Sequence, residues 1–267
     1  MRAIRPAAVA GSFYPGSPAM LAKTVRVCLD AASAGRGPAP KALIVPHAGY
    51  VYSGAIAASA YARLAPLRST IHRVVLLGPA HRAYVRGVAV PSVEAFVTPL
   101  GEVPVDREAI ASLRDLPQVV VDDAAHAHEH SLEVQLPFLE TVLDEFRVVP
   151  LAVGQAGPGE VAQVIDRLWG GPETLIVVSS DLSHYHRYDE ARAIDRASAD
   201  AILSLQPTLD HDQACGATPV NALLSCARRR GLSVELLDLR NSGDTAGDRS
   251  RVVGYASFAL REGKLHA

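Results

Sequence analysis

Apolar residues in this chain gather into short runs that stop abruptly at polar residues or at glycine and proline. Ala42-Leu43-Ile44-Val45 runs into Pro46-His47, and Val74-Val75-Leu76-Leu77 into Gly78-Pro79-Ala80-His81. Leu175-Ile176-Val177-Val178 runs into Ser179-Ser180-Asp181-Leu182-Ser183-His184. Unbroken apolar runs bounded by turn signals predict strands buried on both faces. Further strands are predicted at 88–90, 119–121, 147–153, 233–239 and 252–260. Between them the apolar spacing lengthens to three or four residues. Leu21, Val25 and Leu29 mark a helix over 18–32; Leu132, Leu136, Leu139, Leu143 and Phe146 share one face over 132–146. Pro137 either kinks that helix or marks a late first turn. Other helices are predicted from the residues after Gly54 to about 64, and at 106–113, 159–169, 189–205 and 218–229. Residues 10–16 and 35–40 read as Gly/Pro loops. Strands alternating with helices predict an α/β fold, a mostly parallel or mixed central sheet flanked by helices, in one domain over 1–267.

Composition narrows the function classes. Apolar residues make up 49% of the chain, ample for a large core, and the formal net charge of −2 gives no footprint for nucleic acid. Arg228-Arg229-Arg230 reads as a solvated helix end. No run approaches the ~20 apolar residues that span a bilayer. The early stretch Pro6-Ala7-Ala8-Val9-Ala10 is too short for a signal-peptide core, so a cytoplasmic protein is expected. Cys28, Cys215 and Cys226 do not make a disulfide framework.

The strand-end histidines carry the strongest functional signal. In open α/β sheets, ligands bind outside the carboxyl ends of the strands. His47, His81 and His184 delivered to that edge point to a metal or to proton transfer. Asp181 is placed to orient a histidine, and His184 to act as ligand or general acid/base. Cys215 precedes a predicted helix start, where a thiolate is stabilised, as a soft metal ligand or a redox-sensitive thiol. The densest cluster, His126-Ala127-His128-Glu129-His130, fits the H-x-x-E-H metalloprotease pattern if it is helical. Ser131 reads instead as a helix N-cap, leaving His126 and His128 in a loop and His130 and Glu133 nearer the site. There is no G-x-S-x-G elbow, P-loop or G-x-G-x-x-G.

Several blocks, taken in order, resemble the Memo family, whose prokaryotic members are called AmmeMemoRadiSam system protein B. They are Ala10-Gly11-Ser12-Phe13-Tyr14-Pro15-Gly16, Pro46-His47-Ala48-Gly49-Tyr50, Gly78-Pro79-Ala80-His81, Glu129-His130-Ser131-Leu132-Glu133, Ser179-Ser180-Asp181-Leu182-Ser183-His184 and Cys215-Gly216. The resemblance implies a fold similar to class III, LigB-type extradiol dioxygenases. It also implies that His47, His81 and Cys215 hold a metal, iron(II) or copper foremost and zinc as an alternative. His184 takes the acid/base position, with Asp181 and His130 as the further catalytic candidates. A thiolate where the dioxygenases have a carboxylate softens the donor set, so ring cleavage does not simply carry over. The resemblance further implies an Amme-type domain protein and a radical SAM protein as partners. Two function classes follow: a metal-dependent oxidoreductase, or a non-catalytic protein that binds a peptide or partner in a degenerate crevice.

Overall fold

The computed structural model describes residues 3–32 and 39–263. Part of the 35–40 loop therefore lies outside the described residues. Four parallel strands form the centre of the main sheet, in the order Ala42–Val45, Thr174–Ser179, Arg73–Pro79 and Arg147–Val153. All but one or two of their side chains are buried, as unbroken apolar runs require. Antiparallel strands close both flanks. Val252–Arg261 pairs with Ala42–Val45 and carries Ser233–Asn241 and His184–His186, while Val88–Val90 pairs with Arg147–Val153 and continues to Val119–Val121. Among the described residues this mixed sheet has nine strands. Tyr50–Tyr61, Tyr188–Leu203 and Ala217–Arg229 pack on it, while Pro18–Ala31 packs against Tyr50–Tyr61 and Leu136–Val142, and Pro158–Arg167 against Ala217–Arg229. No helix among the described residues is long and apolar enough to cross a membrane.

Three departures from the sequence pattern matter. The helix predicted over 132–146 is a 3-10 turn, Glu133–Gln135, followed by Leu136–Val142. Leu143 turns extended, and Asp144 N–H is diverted to Arg68 O at 3.0 Å. Ser131 does not cap it; its hydroxyl donates to Pro79 O at 2.9 Å. A second, small sheet was not foreseen: Ile4–Arg5 lies parallel to Ala95–Thr98, which turns through Pro99-Leu100 into Gly101–Pro104. That turn lacks the Asn-Gly or Asp-Gly signature by which short hairpins are recognised. Finally, His184–His186 pairs with Val252–Val253 through a bulge, with Tyr185 as the extra residue at φ 63°.

Candidate metal centre

Sheet order explains how distant histidines meet. The strands ending before His47, Asp181 and His81 are consecutive neighbours, so their carboxyl ends open onto one crevice. Two glycines let other segments close on it. A Cβ at Gly78 would stand 2.8 Å from Ser131 Oγ, and one at Gly216 would stand 2.7 Å from Ser180 Cβ. The first brings the Glu129–Ser131 stretch against the strand end; the second brings Cys215, at the start of Ala217–Arg229, against Ser179-Ser180.

The result is a cavity of about 770 Å³ whose walls include His47, His81, His130, Asp181, His184 and Cys215. Every predicted site residue therefore borders one space, though not in equal roles. The rings of His47, His81 and His130 stand 4.8–5.5 Å apart centroid to centroid. One nitrogen from each lies within 4.8 Å of the others, the spacing of a possible three-histidine metal site. Cys215 falls outside that group, yet its Sγ lies 3.3 Å from His47 Nε2. His130, expected among the proton carriers, thus lies beside His47 and His81. Asp181 accepts a hydrogen bond from His47 N–H at 2.7 Å. It thereby fixes the backbone that carries His47, and its link to His184 is one of charge, with no hydrogen bond between the two among the described residues.

Glu129 organises one side of the cleft. Its carboxylate accepts from His81 N–H at 2.5 Å, His81 Nδ1 at 3.0 Å, and the N–H groups of His130 and Ser131 at 2.9 Å each. Burial alone would raise this carboxyl, but the bonds and charge from His81 and the Ser131 N–H outweigh it and bring it down to about 2. An ionised carboxylate only accepts, so His81 Nδ1 donates to Glu129 and Nε2 is the ring nitrogen left for a metal. Burial, reinforced by neighbouring histidines, pushes His47 down to about 3 and His130 to about 4. Both are neutral at physiological pH. Asp181 is raised by its burial, and Cys215 is pushed up to about 12 by burial and then by the charge of Asp181.

A cation suits this donor set. The imidazoles of His47 and His130 are neutral, and His130 keeps a buried Nδ1 with no hydrogen-bond partner, 3.3 Å from Glu129 Oε1. The protease pattern fails on its own terms. The short helix Ala124–Ala127 stops before Glu129, and His126 turns away to bond Ala89 O through Nε2 at 3.1 Å, its ring against Phe96. Glu133, fully buried, serves the fold. It accepts from Arg5, the Tyr14 hydroxyl, Ala8 N–H at 2.8 Å and Val9 N–H at 3.1 Å, pinning the N-terminal segment beneath the site. Arg5 completes the clasp on the carbonyls of His126 (2.9 Å) and Glu129 (2.7 Å). Sequence reasoning did not single out Arg82, Tyr185 and His211, which also border the cavity, or Gln135 behind it. None of the four belongs to a metal or catalytic spacing pattern.

Comparison with known proteins decides the relationship. The profile of the family described as Memo-like protein matches residues 5–259. The chain belongs to the Memo family. A MEMO1 family protein of Archaeoglobus fulgidus is 37% identical over 267 residues, covering 95% of this chain and 98% of the relative. One from Methanosarcina barkeri is 38% identical, covering 96% and 100%. Another from Aquifex aeolicus is 37% identical, covering 94% and 97%. The crystal structure of an uncharacterized Escherichia coli K12 protein aligns with a TM-score of 0.52 at 14% identity, over 81% of this chain and 98% of that one. This last likeness concerns the fold alone. The Memo family match thus spans all the strand-end histidines and Cys215.

Proposed function

We propose that this Memo-family chain is a metal-dependent oxidoreductase acting on a small ligand in the cleft, with iron(II) or copper as the metal. The observation that carries the reading is the clustering of His47, His81 and His130 nitrogens within 4.8 Å, in a cleft where Glu129 fixes one imidazole. His47, His81 and His130 would hold the metal, with the Cys215 thiol beside His47 as a further donor. Such a metal supplies Lewis-acid polarisation and, as iron or copper, an electron-transfer centre. The chain's own residues do the rest. Glu129 holds the His81 ring and the backbone of His130, and Asp181 holds the backbone of His47. His184, partly exposed on the cavity wall, takes up or delivers protons for the bound ligand. Three unpaired cysteines fit a reducing compartment such as the cytoplasm.

Metal analysis of untagged protein tests the reading. Wild type is expected to hold near-stoichiometric metal and His47→Ala/His81→Ala none; equal, negligible metal in both would overturn it. The pH dependence then separates the donors. His47 and His130 are already neutral and release no proton on binding, so they add no pH dependence between pH 9 and 7. A thiol held at about 12 must deprotonate to bind, which costs about tenfold in affinity per pH unit.

A further inference from the structure

The hydrogen bonds behind His47 run in directions that chemistry fixes. Gln135 lies at their centre, buried. Its amide faces Pro46 O at 2.9 Å, and a carbonyl oxygen only accepts, so that corner of the amide is Nε2. The same nitrogen donates its second hydrogen to Ser179 Oγ at 2.8 Å, while Oε1 accepts from the Tyr61 hydroxyl at 2.9 Å. Ser179 Oγ lies 2.6 Å from Ser131 O. Two oxygens that close repel unless a proton lies between them, and only the serine has one to give. The hydroxyl hydrogen is therefore spent on Ser131. Ser179 meets His47 Nδ1, 2.9 Å away, as an acceptor. Nδ1 must carry the imidazole proton, and Nε2 turns a lone pair toward the cleft.

We propose that Ser179 is a positioning residue that sets the tautomer of His47 for metal binding, and that Gln135 holds Ser179 in the accepting role. The inference rests on the metal-centre reading of the cleft: in the metal-free protein Nε2 faces the Cys215 thiol at 3.3 Å, and a bound cation would take up the same lone pair. The lock comes from a neighbouring strand: Ser179 ends Thr174–Ser179, in register with Val45, two residues before His47. His81 is oriented the same way by Glu129, through a carboxylate. Behind His47 the acceptor is a neutral hydroxyl, so His47 is the less basic ligand and the one whose tautomer is free to change if the acceptor is lost.

Long-range proton–nitrogen correlation spectra of metal-free, histidine-labelled protein at pH 7.5 test this directly. His47 is expected to be protonated at Nδ1; a proton on Nε2 overturns the proposal. In Ser179→Ala the Nδ1–H form should give way to a mixture, and zinc affinity, read by chelator competition, should fall about 10- to 100-fold. Ser179→Thr, which keeps the hydroxyl, should restore both. Unchanged tautomer and affinity in Ser179→Ala also overturn the proposal. If that variant does not fold, the wild-type tautomer alone decides. Nδ1–H without zinc binding would sink the metal reading and leave the lock standing; zinc binding with Nε2–H would do the reverse.

Discussion

The Sγ of Cys215 lies 3.3 Å from Nε2 of His47, although 168 residues separate them along the chain. Without a metal this thiol is held neutral at about 12, and burial pushes Cys226 to about 11 and raises Cys28 as well. Alkylation consumes thiolate. Metal-free protein should therefore show no fast iodoacetamide-reactive thiol between pH 7 and 9. Cys215 modified at the rate of a free thiol at pH 7.5 would contradict the burial of the site.

Glu129 makes the fold depend on pH. Its folded-state pKa of about 2 lies below the ordinary value of 4.5, so its stabilisation is complete above about pH 4.5 and is lost as pH falls toward 2. Glu129→Gln should cost about 2–3 kcal/mol at pH 7. Denaturant titrations at pH 7 and pH 2.5 should show the gap between wild type and variant narrowing sharply at the lower pH. A constant gap would mean that shape, not charge, makes the contribution.

The Arg5–Glu133 ion pair is buried at both ends, with 4% and 0% of the side chains exposed. Removing one partner strands the other charge away from water. Glu133→Ala should cost about 3–5 kcal/mol and release the segment from Ala8 to Tyr14. Hydrogen exchange at Ala8 and Val9, whose N–H groups bond Glu133, should accelerate in the variant. Protection unchanged at both amides would show that other contacts hold the segment.

Tyr185 occupies left-handed backbone at φ 63° while 63% exposed, so little packing compensates its conformation. Tyr185→Gly should raise stability by up to about 1 kcal/mol, the strain removed less the added flexibility of glycine. Thermal unfolding reads the sign. A fall in the midpoint would show that the ring's contacts with His184 and Arg251 outweigh the strain.

The strand-end signals were legible because buried parallel strands demand unbroken apolar runs, and the runs before His47, His81 and Asp181 met that demand. The crevice followed from the rule that such strands open at their carboxyl ends. His130 was legible as a site residue, but its place beside His47 and His81 was not. It depends on Gly78 admitting Ser131 at close range, and a missing side chain carries no label for what fills the space. The helical spacing of Leu132 to Phe146 misled for a related reason. Those leucines are buried around a 3-10 turn and a short helix whose backbone Leu143 redirects. Gln135 and Ser179 escaped because an orienting hydrogen bond needs only a polar atom in the right place, and many residue types supply one.

The clasp between Arg5 and Glu133 also sets an order of events during synthesis. Arg5 leaves the ribosome 128 residues ahead of its partner. His47 likewise precedes Cys215 by 168. Until Glu133 emerges, the N-terminal segment has nothing to grip, and until Ser179 and Cys215 follow, His47 has neither its orienting hydroxyl nor its thiol neighbour. Domains generally fold as units, N-terminal ones first during synthesis. In this chain the first residues wait for the middle, and the site is completed only when four-fifths of the chain exists. A nascent chain therefore exposes His47 and His81 for most of its translation without a formed site that could capture the wrong ion.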